Sequence, residues 1–180
     1  MPLVSIGGLP GSGKTTVSTL LAKKLELPHI NAGDIFRTLA QKKGLTLEEF
    51  GVFAERLPKV DQSIDAKLLD VARKKPDAIL EGRLAGRMLL KEGLRSTKVW
   101  LQAPLKIRAN RVAERENVSF ESALATIHER ERSEWDRYYR LYRIDLNDLS
   151  DYDLIIDTEE RTPEQIAETI IEAVKGGVVS

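Results

Sequence analysis

The stretch Gly8-Leu9-Pro10-Gly11-Ser12-Gly13-Lys14-Thr15 lies between a short apolar run, Leu3 to Ile6, and a segment of helical period that starts at Lys14. It fits the Walker A pattern G-x-x-x-x-G-K-[ST], in which a strand ends, a loop turns tightly and a helix begins. The glycines let backbone N–H groups converge on a phosphate, and the helix N-terminus adds its partial positive charge. Lys14 can then bridge the terminal phosphates, and the Thr15 hydroxyl can hold Mg²⁺. A glycine-rich turn without a ligand would not need both flanks, so the motif implies binding of a nucleoside triphosphate.

Along the rest of the chain, apolar runs suited to buried strands alternate with longer segments of helical period, the pattern of a parallel sheet with crossover helices. The predicted strands are Leu3 to Gly7, Pro28 to Ala32, Ala78 to Leu84, Lys98 to Ala103 and Leu154 to Thr158. The predicted helices are Lys14 to Glu26, Asp34 to Lys43, Leu47 to Arg56, Val60 to Lys75, Ala85 to Glu92, Leu105 to Asn117, Phe120 to Tyr142 and Pro163 to Lys175. Two helix starts are chemically marked: Thr46 with Glu49 forms a capping box, and Thr162-Pro163-Glu164-Gln165 adds a proline at the first helical position. More than forty residues separate the second and third strands, more than one crossover needs, so part of that stretch is expected to form a flap.

A chain of 180 residues, against roughly 150 per domain, is one compact unit. Its 28 basic and 28 acidic residues cancel, so no global field draws in a nucleic acid or an anionic membrane, and any phosphate site must be local. With no cysteine there is neither a disulfide frame nor a thiolate site, which suits a reducing interior. The start Met1-Pro2-Leu3-Val4 lacks the basic and apolar regions of a signal peptide, and no apolar run approaches ~20 residues. The expectation is a cytoplasmic protein with no membrane or nucleic-acid partner.

The second strand ends in Asn31-Ala32-Gly33-Asp34-Ile35-Phe36-Arg37, at the sheet edge where α/β proteins bind ligands. Arg37 could hold a monophosphate with its planar fork; equally, Asp34 is a helix cap and Arg37 an ordinary surface residue. The third strand ends in Glu81-Gly82-Arg83, where Glu81 can orient Mg²⁺-bound waters or simply close an exposed strand. Arg83, two residues on, faces the same edge.

Between Arg108 and Arg143 the chain has eight arginines and no lysine. Phosphoryl transfer spreads negative charge over the equatorial oxygens of the moving group, and planar forks answer that need. Arg111 and Arg115 share a helix face, as do Arg130 and Arg137, which makes these four the candidates for a closing lid. Ion pairs such as Glu129/Arg132 and Asp136/Arg140 are the competing use of such residues. Trp135, Tyr138, Tyr139 and Tyr142 are expected to pack a helix onto its neighbour, and His29 and His128 to be packing or surface residues. A phosphate monoester, with a second pKa near 6, needs no general base to act as nucleophile.

Taken together these residues resemble the nucleoside monophosphate kinases, and among them the archaeal cytidylate kinases. The resemblance rests on Gly8 to Thr15, Ala32 to Arg37, Glu48-Glu49-Phe50-Gly51, Leu80 to Gly86, Tyr142-Arg143-Ile144-Asp145 and Tyr152 to Thr158. It implies the P-loop NTPase fold, three-layer α/β/α with a five-stranded parallel sheet, a helical monophosphate-binding insertion at about 34–72 and a short lid at about 117–133. The core would comprise 1–33, 73–116 and 134–180. The implied reaction is transfer of a phosphoryl group from ATP to CMP or dCMP, with Mg²⁺, in a monomer.

In that scheme Gly8, Leu9, Pro10, Gly11, Ser12, Gly13, Lys14, Thr15 and Thr16 serve ATP, Thr15 and Glu81 (through water) serve the metal, and Asp34, Arg37 and Arg83 serve the acceptor. Arg111, Arg115, Arg130 and Arg137 would meet the triphosphate and transferring group, with Lys14, Arg83, Arg130 and Arg137 catalytic. Cytosine presents an N4 amine and the N3/O2 acceptors, and Asp61 and Asp65, one turn apart, could supply the acidic partner. The guanine-reading pattern N-K-x-D does not occur. The remaining alternatives are a small kinase acting on AMP, UMP or a small hydroxyl compound, and a non-catalytic ATP-binding factor.

Overall fold

The computed structural model describes residues 3–177; Met1, Pro2 and Val178–Ser180, at the two ends of the expected core, lie outside the described residues. Five strands, β1 (Leu3–Gly8), β2 (His29–Asn31), β3 (Ile79–Glu81), β4 (Ser96–Gln102) and β5 (Leu154–Asp157), form one parallel sheet in the order β2-β3-β1-β4-β5. Alternation along β1 sends Val4 and Ile6 to one face. There they meet Val17 and Leu21 of α1 (Lys14–Leu25) and Ile166, Ile170 and Val174 of α8 (Pro163–Lys175). Leu3 and Leu80 take the other face, against Leu68 and Ala72 of α4 (Lys59–Lys74) and Leu89 of α5 (Ala85–Lys91). Covered on both sides, the sheet excludes water: β1 and β3 are buried throughout and β4 as far as Leu101, with Ser5, Glu81, Ser96, Thr97 and Lys98 as their buried polar residues.

The strand order sets the site. After β1 the chain leaves toward β2 and β3, whereas after β3 it crosses to β4, so a crevice opens between the carboxyl ends of β1 and β3. Ligands of open α/β sheets bind at such a switch point.

Three expected boundaries move by two residues or more, for local reasons. Helix α2 (Ala32–Lys42) begins two residues before Asp34, because the Asn31 side chain caps it, accepting from the N–H groups of Gly33 (2.8 Å) and Asp34 (3.3 Å). Strand β3 stops at Glu81 rather than Leu84: Gly82 N–H still reaches Ile6 O, but Ala85 N–H turns back to Gly82 O. Strand β4 starts earlier than Lys98 because Ser96 pairs with Leu3. Both capping boxes form as the sequence predicts, at Thr46/Glu49 and Thr162/Gln165.

Between β2 and β3, α2, α3 (Leu47–Arg56) and α4 build an insertion with its own core of Ala40, Phe50, Ala54, Val60 and Ile64. Helices α6 (Leu105–Glu116) and α7 (Phe120–Tyr142) form a hairpin that turns at Asn117, in left-handed conformation with φ 53°, and is closed by Ala109, Val112, Ala123 and Ile127. The stretch 117–133 is the turn of this hairpin and the first part of α7, which continues unbroken past residue 133. No described helix is long and apolar enough to cross a membrane.

The aromatic residues from Trp135 to Tyr142 on α7 divide, contrary to the expectation that all four pack onto a neighbour. Trp135 and Tyr139, one turn apart on one face, are exposed and stack on each other with centroids 5.1 Å apart. Tyr138 and Tyr142 turn inward, to Leu84, Met88 and Leu146.

Candidate active site

The phosphate loop needs glycine at Gly8, where φ is +148° and a Cβ would stand 2.4 Å from Leu101 O, and at Gly11, where φ is +78° and a Cβ would stand 2.5 Å from Arg108 O. Both close approaches are to backbone, which cannot swing aside. At the first turn of α1, Lys14 Nζ donates to Leu9 O (2.9 Å), a carbonyl of its own loop. The atoms crowded round that ammonium, aided by the like charge of Arg83, lower its pKa from 10.5 to about 7.

Thr15 Oγ1 donates to Glu81 Oε1 (2.7 Å) across the β1–β3 crevice. His29 Nε2 lies 2.9 Å from the other oxygen, Glu81 Oε2. His29 is therefore paired with an acid at the crevice rather than serving as a packing or surface residue; His128 is exposed on α7 as expected. Among the described residues no group of three or more His, Cys, Asp or Glu is placed to hold a metal. A hydroxyl and one carboxylate at the phosphate loop fit a Mg²⁺ that keeps waters and leans on substrate phosphates.

A cleft of about 200 Å³ joins the loop to the insertion and α7, and its walls carry seven basic and seven acidic side chains. Lys14, Thr15 and Glu81 lie on the sheet side, Arg37, Asp61 and Asp65 on the insertion, Arg83 after β3, and Arg115, Arg130 and Arg137 on the hairpin. Most of these arginines are held by carboxylates: Arg83 by Glu134, Arg130 by Glu48 (3.1 Å) and Glu116 (3.3 Å), and Arg137 by Asp61 (2.8 Å). Arg83 Nη1 and Arg130 Nε are nonetheless buried without a hydrogen-bond partner, as is Asn31 Nδ2. Orphaned buried donors of this kind call for an acceptor, and phosphate oxygens would supply it.

Burial pushes the Asp61 carboxyl up, against the pull of Arg137. Asp65 is pushed up to about 6 by burial, although Tyr142 Oη donates to it at 2.6 Å. Two acids one helical turn apart thus hold their protons to higher pH than free carboxyls do.

Three expected site residues are placed differently. Asp34 is exposed, off the cleft wall and paired with Arg37 (2.6 Å). Arg111 is turned to Thr158, donating to its hydroxyl (2.9 Å) and carbonyl (2.7 Å), and to Gly11 O (3.4 Å). Arg137 is committed to Asp61 and to Ser133 Oγ (2.7 Å). Of the two expected helix-surface pairs, Arg132 reaches Asp136 (3.6 Å) and Glu55 (4.0 Å) instead of Glu129, and Arg140 donates to the Asp136 carbonyl rather than its carboxylate. Residues that sequence reasoning passed over include Glu134, Tyr138 and Asn31, of which Asn31 alone left a signal, as a helix cap preceding Gly33.

The arrangement of a phosphate loop, a crevice acid and an arginine-lined second wall can bring two phosphorylated groups together. Among solved structures, shikimate kinase from Acinetobacter baumannii in complex with shikimate has a TM-score of 0.61 to this chain, over 98% of it and 94% of that chain, at 16% identity. At that identity the likeness speaks for the fold alone. The cytidylate kinase of Methanocaldococcus jannaschii is 43% identical over 173 residues, 96% of this chain and 97% of that protein. That of Pyrococcus horikoshii is 46% identical over 164 residues, 91% of this chain and 83% of its own length. A model of the cytidylate kinase-like family matches residues 3–160, a span that takes in the phosphate loop, the crevice acid and the arginine wall, and the chain belongs to that family.

Proposed function

We propose that the protein is a cytidylate kinase that transfers the terminal phosphoryl group of ATP directly to CMP or dCMP. The observation that carries this reading is the pairing, in one cleft, of a phosphate loop with buried guanidinium donors that lack partners. Relatives of near-equal length named cytidylate kinase support the choice of acceptor.

In this reading Gly8 to Thr16 wrap the triphosphate, and Lys14 exchanges Leu9 O for phosphate oxygens. When bound, Mg²⁺ would neutralise charge building between the phosphates, held at Thr15 and, through water, at Glu81. Arg37 and Arg83 orient the acceptor phosphate, while Arg115 and Arg130 hold the triphosphate and the group in flight. Arg111 would act through Gly11 and Thr158 rather than by contact. The acceptor phosphate is mostly dianionic at neutral pH and attacks without a general base, so positioning and electrostatics supply the acceleration. The insertion at about 34–72 would be the acceptor flap and 117–133 the lid. A carboxyl oxygen of Asp61 or Asp65, on the insertion, can accept from the cytosine N4 amine, a donor that uracil, with O4 at that position, lacks.

A panel of CMP, dCMP, UMP and AMP, each with ATP and Mg²⁺ and read by ADP formation, tests the proposal. CMP and dCMP should drive turnover. Fastest turnover with AMP or a hydroxyl acceptor, or ATP loss indifferent to all four, would replace it.

A further inference from the structure

Glu81 is the residue whose carboxylate decides what meets Thr15, and its two oxygens are held from opposite sides. Oε1 accepts from Thr15 (2.7 Å), and Oε2 is met by His29 Nε2 (2.9 Å). His29 stands on β2, the outermost strand, whose register sets Asn31 opposite Glu81 and His29 opposite Ile79. It does not line the cleft, and the function proposed above gives it no part.

A glutamate side chain has three rotatable bonds, and one anchored oxygen leaves its carboxylate able to swing about that contact. The Thr15 anchor is also the one that changes in use, because a cation at Thr15 Oγ1 draws on the same hydroxyl. The bond from β2 is independent of that exchange. Glu81 and His29 are both shielded, their side chains 4% and 17% exposed, so water competes little for the contact. A carboxylate accepts and does not donate, so His29 presents Nε2–H to it.

We propose that His29 is a positioning residue, which by donating Nε2–H to Glu81 Oε2 keeps the carboxylate aimed at the Thr15 side of the crevice. The proposal rests on the reading of Thr15 and Glu81 as the metal-orienting pair. Partners of this outer kind typically change metal affinity ~10–100-fold when removed.

The test is the affinity of the full chain for ATP, by calorimetry with no acceptor present, with saturating Mg²⁺ and again with chelator. The ratio of the two constants is the gain due to the metal. His29→Ala should lower that gain about tenfold and leave the chelated affinity unchanged, and His29→Gln, whose amide nitrogen can stand where Nε2 stands, should restore most of it. Glu81→Gln should abolish the gain. If Glu81→Gln abolishes it while His29→Ala retains it, His29 has no positioning role and the metal reading stands; if both variants retain it, the metal reading falls and this proposal with it. Equal loss in the Ala and Gln variants would also overturn the proposal, since a donor at that point would not be what matters. Should His29→Ala fail to fold, His29→Leu, which fills the space without a donor, carries the same expectations.

Discussion

Lys14, at the first turn of α1, has a pKa well below the ordinary lysine value. In the ligand-free protein crowding and Arg83 bring its pKa to about 7, so at pH 8 it is mostly neutral. In the proposed reading a bound triphosphate would restore the charge. ATP binding at pH 8 should therefore take up close to one proton, and at pH 6 none through this residue. Calorimetry in two buffers of different ionisation enthalpy reads the uptake, and Lys14→Met should remove it. Between about pH 7 and 10.5 the unfolded chain binds the proton that the folded one lacks, so Lys14 makes the ligand-free fold more stable as pH rises through that window. In the proposed reading Arg83 would meet the acceptor phosphate through Nη1, which is buried without a hydrogen-bond partner. Arg83→Ala should lower kcat/KM for CMP by ~10²–10³, about 3–4 kcal/mol of transition-state stabilisation, as loss of a preorganised donor does elsewhere. A loss under about 1 kcal/mol would move Arg83 out of the acceptor site.

At the scale of elements, α7 is fastened to α4 by one buried contact, Arg137–Asp61, and one partly buried, Tyr142–Asp65. Arg137 and Asp61 are each 4% exposed, so truncating one leaves the other buried and unpaired. Arg137→Ala should cost about 3–5 kcal/mol in urea unfolding, whereas Asp61→Leu with Arg137→Met should cost far less. Asp65 titrates near 6 in the fold against 3.8 ordinarily. Between those values the folded chain holds the extra proton, so this residue makes stability fall as pH rises from about 4 to 6, and Asp65→Asn should flatten the slope.

These fastenings also show what could be read from the chain. Elements whose signal is local, such as the Thr46 and Thr162 capping boxes and the glycine-wrapped loop, were legible, as was the five-stranded core. Contacts set by register were not: His29 and Glu81 stand 52 positions apart, and nothing in the sequence marks that β2 lies beside β3. The arginine cluster signalled phosphate, yet Arg108 spends its donors on Pro10 O, Ala103 O and Glu131, and Arg111 on Thr158. Backbone carbonyl acceptors leave no trace in side-chain spacing.

Across the whole molecule, two bodies share one helix. The first half of α4 places Val60 and Ile64 in the core of the insertion, while its second half places Leu68 and Ala72 in the core beneath the sheet. Helix α3 belongs to the insertion core alone, and its ties to α7, Glu48–Arg130 and Glu55–Arg132, lie nearer the surface than Asp61–Arg137. Surface pairs are screened by salt and each contributes ~0–1 kcal/mol, whereas the buried pair is shielded. The α3 edge should therefore open first, with the motion taken up in α4 between Ile64 and Leu68. Hydrogen exchange of the ligand-free protein should show the amides of 47–56 exchanging by a sub-global opening, faster in high salt and in Glu48→Gln, while α8 exchanges only with global unfolding. CMP together with a non-hydrolysable ATP analogue should slow exchange in α3 without altering α8. In the proposed reading phosphates would then replace the carboxylate partners of Arg130, closing the cleft by more than the two rim pairs can. Protection of α3 equal to that of α8, unmoved by nucleotide, would mean that the insertion is a fixed wall and that the cleft does not close on its substrates through α3.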